Sequence, residues 1–203
     1  MFTNKNIIIR KGLLEDTPDF ANLIFLSEPN LFPVIFGFSA RGVIQNLFRH
    51  RKNLFSFEHS YFIEVDGTKA GVIIGYDWHT ERGEGWRTGL LLIKYMRLEF
   101  FSKFPSLLKA LSLVGRVENN EYYISSVAVY PEFRSISLGT NLLLKTEEEA
   151  RGCGAEKIAL DVDVDNKGAI RLYDRLGYSI VGKPSTAKIN SKEFAVLRMY
   201  KKL

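Results

Sequence analysis

Two periods of hydrophobic and polar residues succeed one another along this chain, and the switches between them outline its elements. Ile7-Ile8-Ile9-Arg10 is a β-branched run suited to a strand. Glu15-Asp16-Thr17-Pro18 then supplies a helix start, with Thr17 as the N-cap and Pro18 at the first helical position. A helix is expected over Asp19 to Ser27. Pro29 to Phe38 is aromatic and broken by two prolines, which predicts a packed loop leading into a second helix from about Ala40 to Lys52. Tyr61 to Val65 and Ala70 to Tyr76 flank Asp66-Gly67, a pair suited to positive φ, and predict a β-hairpin.

From Trp78 to Asn120 the apolar positions recur at three- and four-residue intervals, with Lys94, Arg97, Lys103 and Lys109 interspersed. This predicts two short helices divided by Pro105. Tyr122 to Tyr130 reads as a strand, Ser137 to Arg151 as a helix, Glu156 to Val162 as a strand, and Lys167 to Leu176 as a helix stopped by Gly177. Tyr178 to Val181 and Glu193 to Met199 complete the sheet. No internal repeat is visible, and the alternation predicts an α/β (α+β) protein, a mixed sheet covered by helices.

The 203 residues, 46% of them hydrophobic, are enough for one core, so a single domain over 1–203 with a helical insertion at about 78–120 is expected. The net charge of +5 suits nucleic acid, anionic lipid or a phosphorylated ligand. Because the basic residues are dispersed, a phosphate-rich small molecule fits at least as well, and nucleic acid is disfavoured. The single cysteine, Cys153, excludes an intramolecular disulfide and a multi-cysteine metal site. A reducing, cytoplasmic setting is expected, since Met1 to Arg10 reads as a polar lead into a strand, not as a signal peptide, and nothing suggests a membrane span.

Val127-Ala128-Val129-Tyr130-Pro131-Glu132-Phe133-Arg134-Ser135-Ile136-Ser137-Leu138-Gly139-Thr140 combines a buried strand, a proline exit and an arginine followed by small residues where an amphipathic helix begins. The first turn of a helix leaves about four N–H groups without intrahelical partners and carries roughly half a positive charge, so main chain alone can hold a pyrophosphate. Arg134 stands where a guanidinium adds charge-assisted hydrogen bonds. Spacing alone fits an ordinary strand–loop–helix connection equally well, with Gly139 merely allowing close helix packing. A Walker loop and a dinucleotide fingerprint are both excluded by spacing.

Arg134, Ser137 and Gly139 resemble the acetyl-CoA signature of the GNAT superfamily, Arg/Gln-x-x-Gly-x-Gly/Ala between a strand and a helix, with serine at 137 in place of the usual glycine. Downstream, Asn166, Ala169, Leu172, Tyr173, Gly177 and Tyr178 resemble the second signature, Asn-x-x-Ala-x-x-Leu-Tyr-x-x-x-Gly-Phe/Tyr. Read physically, Asn166 is an N-cap, Ala169, Leu172 and Leu176 form one apolar face, and Gly177 is a left-handed stop. The resemblance implies a mostly antiparallel sheet of about seven strands with helices on both faces, the GNAT fold. It also implies acetyl-CoA as cosubstrate, with pantetheine pairing to Val127 and Val129 main chain where the central strands splay. Ala128, Arg134, Ser135, Ile136, Ser137, Leu138, Gly139 and Thr140 would complete the turn, with Asn166, Ala169 and Tyr173 on the facing helix. The activity implied is direct transfer of acetyl to a primary amine in a ternary complex. Same-fold alternatives are a non-catalytic acyl-CoA-binding module and a protein N-terminal or lysine acetyltransferase.

Acetyl transfer must expel a thiolate, and Tyr173 holds the motif position for a neutral phenol beside it. The amine must also lose a proton. Where the family often places a base on the fourth strand, this chain has Ser125 and Tyr123, so Glu121, Glu64, or a water ordered by Ser125, are the candidates. His50, His59 and His79 lack metal-like spacing, and no metal is expected. Asp161, Asp163 and Asp165 read as a solvated strand end, with Asp165 close to the ligand. The insertion suits a lid over the acceptor, a homodimer surface or an amphipathic membrane patch; Glu81, Glu84 and Glu99 dilute its basic face, which favours the first two. The acceptor amine, small molecule or peptide, is not identified by the sequence.

Overall fold

A computed structural model describes residues 5–203. The Met1–Asn4 part of the expected polar lead lies outside them. Strand β1 (Ile7–Lys11) is followed by α1 (Thr17–Ser27), a short α2 (Phe32–Phe36) and α3 (Ala40–Arg49). The expected N-cap is displaced by one residue: Asp16 occupies the cap, and its carboxylate accepts from Leu13 N–H at 2.8 Å instead of capping the helix. The Thr17 hydroxyl donates to the Leu14 carbonyl at 2.6 Å. Pro29 to Phe38 is not all loop, because Pro33 sits at a helix start, where its missing N–H costs nothing.

β2 (Ser60–Val65) and β3 (Thr68–Asp77) form the expected hairpin, after which α4 (Trp78–Met96) and α5 (Leu98–Leu113) fill the insertion. Its helices are long, and the break falls at Arg97, which adopts φ 52, with Pro105 inside α5. Proline leaves the carbonyl four residues earlier without its donor. Phe101 and Pro105 both lie on the exposed side of α5. β4 (Glu121–Val129), α6 (Leu138–Gly152), β5 (Lys157–Asp163), α7 (Lys167–Arg175) and the long hairpin β6 (Ser179–Ile189) and β7 (Lys192–Lys202) complete the chain.

The seven strands form one sheet in the order β1-β2-β3-β4-β5-β7-β6, antiparallel throughout except for β4 with β5. One face carries α1 to α5 over a core that includes Phe20, Leu47, Phe62 and Ile74; the other carries α6 and α7 over Ile63, Ile124, Leu142 and Leu160. Helices on both faces of a mixed sheet are what the alternating pattern predicts. Two irregularities in the centre shape the site. β4 and β5 pair only from Glu121–Lys157 to Ile124–Leu160, then part. Directly at that point, the β3–β4 register shifts between Ile74 and Gly75, leaving Ser125 as the extra residue of a β-bulge. Gly75 is required there, since a Cβ would lie 2.6 Å from the Tyr122 ring and 2.9 Å from the Tyr123 carbonyl.

Candidate active site

A cleft of about 770 Å³ opens where β4 and β5 separate. This is within the size range of small-molecule sites. One wall is the free edge of β4 from Ser125 to Val129, the other is Leu160 to Val162 of β5. Past Ile124 the β4 backbone has no strand partner on that side, which leaves main-chain donors and acceptors facing the cleft.

The floor is the turn into α6. Pro131–Phe133 forms a single 3-10 turn, and Arg134 Nε folds back to donate to the Val129 carbonyl at 3.2 Å. Ser135 and Ser137 both adopt left-handed φ, 66 and 64. Ser137 is the N-cap residue, and the first main-chain bond of the helix runs from Asn141 N–H to the Ser137 carbonyl at 3.0 Å. The N–H groups of Leu138, Gly139 and Thr140 are therefore left without helical acceptors at the cleft. A methyl at Gly139 would meet only Leu172 Cδ2, at 3.4 Å, so packing between helices does not demand glycine there. Glycine, small serines and free N–H groups on one concave surface fit a phosphate-bearing ligand. Arg134, Ser135, Ser137, Leu138, Gly139 and Thr140 line the cleft, as do Val127, Ala128 and Val129, whereas Ile136 packs into the α6–α7 core.

α7 closes the opposite side. The Asn166 side chain accepts from Ala169 N–H at 3.1 Å, as expected of an N-cap, and Gly177 ends the segment at φ 89. Asn166, Ala169, Leu172 and Tyr173 line the cleft. Tyr173 is buried, and burial together with the nearby Glu28 carboxylate raises its pKa well above that of a free phenol, so the hydroxyl keeps its proton. Glu28, just past α1, lines the same cleft beside Leu26 and Ser27. Burial, reinforced by the Asp163 carboxylate, pushes its carboxyl up to about 7. Sequence reasoning missed Glu28. A signal was present, because it is the only carboxylate from Phe20 to Phe57, a stretch otherwise dominated by core residues.

The structure does not bring the other candidate bases into the cleft. Glu64 accepts from Arg10 Nε at 2.9 Å beside the Arg10–Asp16 ion pair, on the β1–β2 side of the sheet. Glu121 lies at the start of β4, buried, and is paired with Arg198 and, at 3.6 Å, with Lys157. Ser125 does line the cleft, at the bulge. Asp161 is no solvated strand end: its side chain is 7% exposed and accepts from Tyr123 Oη at 3.1 Å, Arg198 Nη1 at 3.0 Å and Gly115 N–H at 3.0 Å. His59 pairs with Glu84 at 2.8 Å and His50 with Tyr95 at 2.9 Å. Cys153 is an exposed free thiol after α6, outside the cleft.

Comparison with known proteins gives this geometry a family. An uncharacterized N-acetyltransferase of Methanocaldococcus jannaschii is 39% identical over 66 residues, covering 32% of this chain and 29% of that protein. The likeness to three such curated relatives spans only 29 to 38% of their lengths. Among solved structures, an N-acetyltransferase from Staphylococcus aureus Mu50 superposes with a TM-score of 0.70 at 21% identity, over 94% of this chain and 99% of the other. An acetyltransferase from Salmonella typhimurium, solved with its cofactor acetyl-CoA, superposes at 0.58 with 17% identity, over 97% and 94%. Both share the fold. The sequence profile of the Acetyltransferase (GNAT) family matches residues 30–178, which holds the turn, the bulged strand and the α7 motif, and the chain belongs to that family.

Proposed function

We propose that this chain is an N-acetyltransferase that takes acetyl-CoA into the β4–β5 cleft and passes the acetyl group directly to a primary amine. The observation that carries the reading is the meeting, in one cleft, of a helix N-terminus flanked by left-handed serines, a free strand edge, and Tyr173 facing Glu28. Under this reading the pyrophosphate rests on the N–H groups of Leu138 to Thr140, with Arg134 beside it. Pantetheine lies along Val127 and Val129, and Asn166 and Ala169 border it from α7.

The acceptor arrives as an ammonium, and Glu28 takes its proton. A carboxyl at about 7 is half ionised at neutral pH, which suits a general base. The freed lone pair attacks the thioester carbonyl, the tetrahedral intermediate collapses, and the C–S bond breaks. The Tyr173 hydroxyl gives its proton to the departing sulfur, so that coenzyme A leaves as the thiol. The second proton of the attacking nitrogen is lost as the amide forms and restores the Tyr173 phenol, and Glu28 releases the first proton to solvent. Glu28 replaces Glu64 and Glu121 in this role, since both are held in ion pairs away from the cleft.

The test is release of free thiol from acetyl-CoA in the presence of small diamines, peptide N-termini and lysine peptides in separate arms. Thiol release with any arm is the expected result, and the arm that responds names the acceptor class. Binding of acetyl-CoA by calorimetry with no thiol release in any arm would leave a non-catalytic acyl-CoA-binding module.

A further inference from the structure

Both helices of the insertion, α4 and α5, hold apolar side chains out to solvent that no part of the described chain covers. On α4, Trp86, Leu90 and Ile93 recur at helical spacing and are exposed, Trp86 by 61%. On α5, Phe101, Phe104, Leu108 and Leu111 repeat at three- and four-residue steps along one stripe, with Phe101 72% and Leu111 68% exposed. The inner faces of both helices are already used: Met96, Leu107, Ala110 and Leu113 are buried in the core. The turn before α3 adds Phe38, fully exposed and tethered to α5 by the Ser39 hydroxyl, which donates to Glu99 at 2.7 Å.

Charge sorts on the same surface. Arg82, Arg87, Lys94, Arg97 and Lys109 are exposed, whereas the three acids of the two helices are half-buried. Glu84 is paired with His59 at 2.8 Å, Glu99 with Ser39, and Glu81 is half-buried. No exposed residue from Trp78 to Leu113 is a carboxylate. The acids that in the sequence dilute the basic character of this segment are thus less exposed than its cations.

We propose that this face docks on an anionic lipid bilayer, with the two helices lying in the interfacial plane, their apolar stripes at the headgroup–acyl boundary and their cations among the lipid phosphates. Exposed aromatic residues flanked by Lys and Arg suit that boundary. Attachment is peripheral, as no single helix among the described residues is long and apolar enough to cross a membrane. A second copy of this chain is a poorer occupant: a two-fold contact sets the same five exposed cations of each copy against each other, with only half-buried acids to answer them. The proposal rests on surface chemistry and stands apart from the reaction in the cleft.

The test is co-sedimentation of the full chain with sucrose-loaded vesicles of phosphatidylcholine alone and of phosphatidylcholine mixed with phosphatidylglycerol. The mixed vesicles are expected to bind about ten-fold or more tightly than the neutral ones, and to blue-shift tryptophan fluorescence. Phe101→Glu combined with Leu108→Glu, at positions the fold does not bury, is expected to abolish sedimentation with unchanged circular dichroism. Arg87→Gln and Lys94→Gln, which leave the stripe intact, are each expected to weaken binding to mixed vesicles by about five-fold. A protein that stays in the supernatant with both vesicle types overturns the proposal, as does equal binding by the double Glu variant. A concentration-dependent dimer lost in that variant, without vesicle binding, overturns it in favour of a second copy.

Discussion

The two ends of the cleft are built from different materials. At the α6 end the groups that face the cleft are main-chain N–H groups, among small side chains. At the α1 end they are side chains, Glu28 and Tyr173, from segments nearly 150 residues apart in the sequence. A site made of backbone depends on local conformation, so it leaves a short contiguous signature. A site made of side chains depends on what the sheet brings together, and leaves none.

The sharpest break of this comparison is Glu28→Gln. Loss of the base is expected to lower turnover by about 100-fold at neutral pH, and to remove the rise of kcat/KM with pH through about 7 that ionisation of Glu28 predicts. Stability should move the other way. The folded-state pKa stands above the unfolded value near 4.5, so burial of the ionised carboxylate costs most above pH 7 and nothing well below 4.5. Denaturant unfolding should find Glu28→Gln more stable than the wild type by about 1 to 3 kcal/mol at pH 8, with little difference at pH 4. A gain that is the same at both pH values would place Glu28 outside the cleft in solution.

Tyr173→Phe is next, expected to lower turnover about ten-fold or more while calorimetry shows acetyl-CoA binding intact. Unchanged turnover would remove the phenol from the chemistry. At the other end the effect is smaller and falls on stability. Ser137 holds φ 64, a conformation that costs a residue with a Cβ about 1 kcal/mol relative to glycine. Because the free chain already holds this conformation, Ser137→Gly should raise stability in denaturant unfolding by up to about 1 kcal/mol, with turnover nearly constant.

The same division explains how much was legible beforehand. Asn166 as a cap, Gly177 as a left-handed stop and Asp66-Gly67 as a turn were readable because each acts on its own backbone. The break at Arg97 was not, since its left-handed position holds an arginine where glycine or asparagine would have marked it. Asp161 looked solvated because its partners, Arg198, Tyr123 and Gly115, are 37, 38 and 46 residues away. Glu64 and Glu121 read as bases from the sequence because their partners Arg10 and Arg198 lie 54 and 77 residues away. The outward turn of the hydrophobic stripe on α5 is similarly invisible to periodicity, which registers that a helix is amphipathic but not which side is covered.

The extra residue at Ser125 also sets a phase. Before it, even-numbered Tyr122 and Ile124 face the α6–α7 core; after it, odd-numbered Val127 and Val129 do, while Ala128 and Tyr130 face the α1–α5 core. A strand alternates with a period of two, so one inserted residue exchanges the two sides for everything downstream. Removing a single residue there would turn the valines of the cleft wall into the opposite core and carry Ala128 and Tyr130 across to theirs. The parity of β4, not its composition, decides which face of the sheet can receive a ligand.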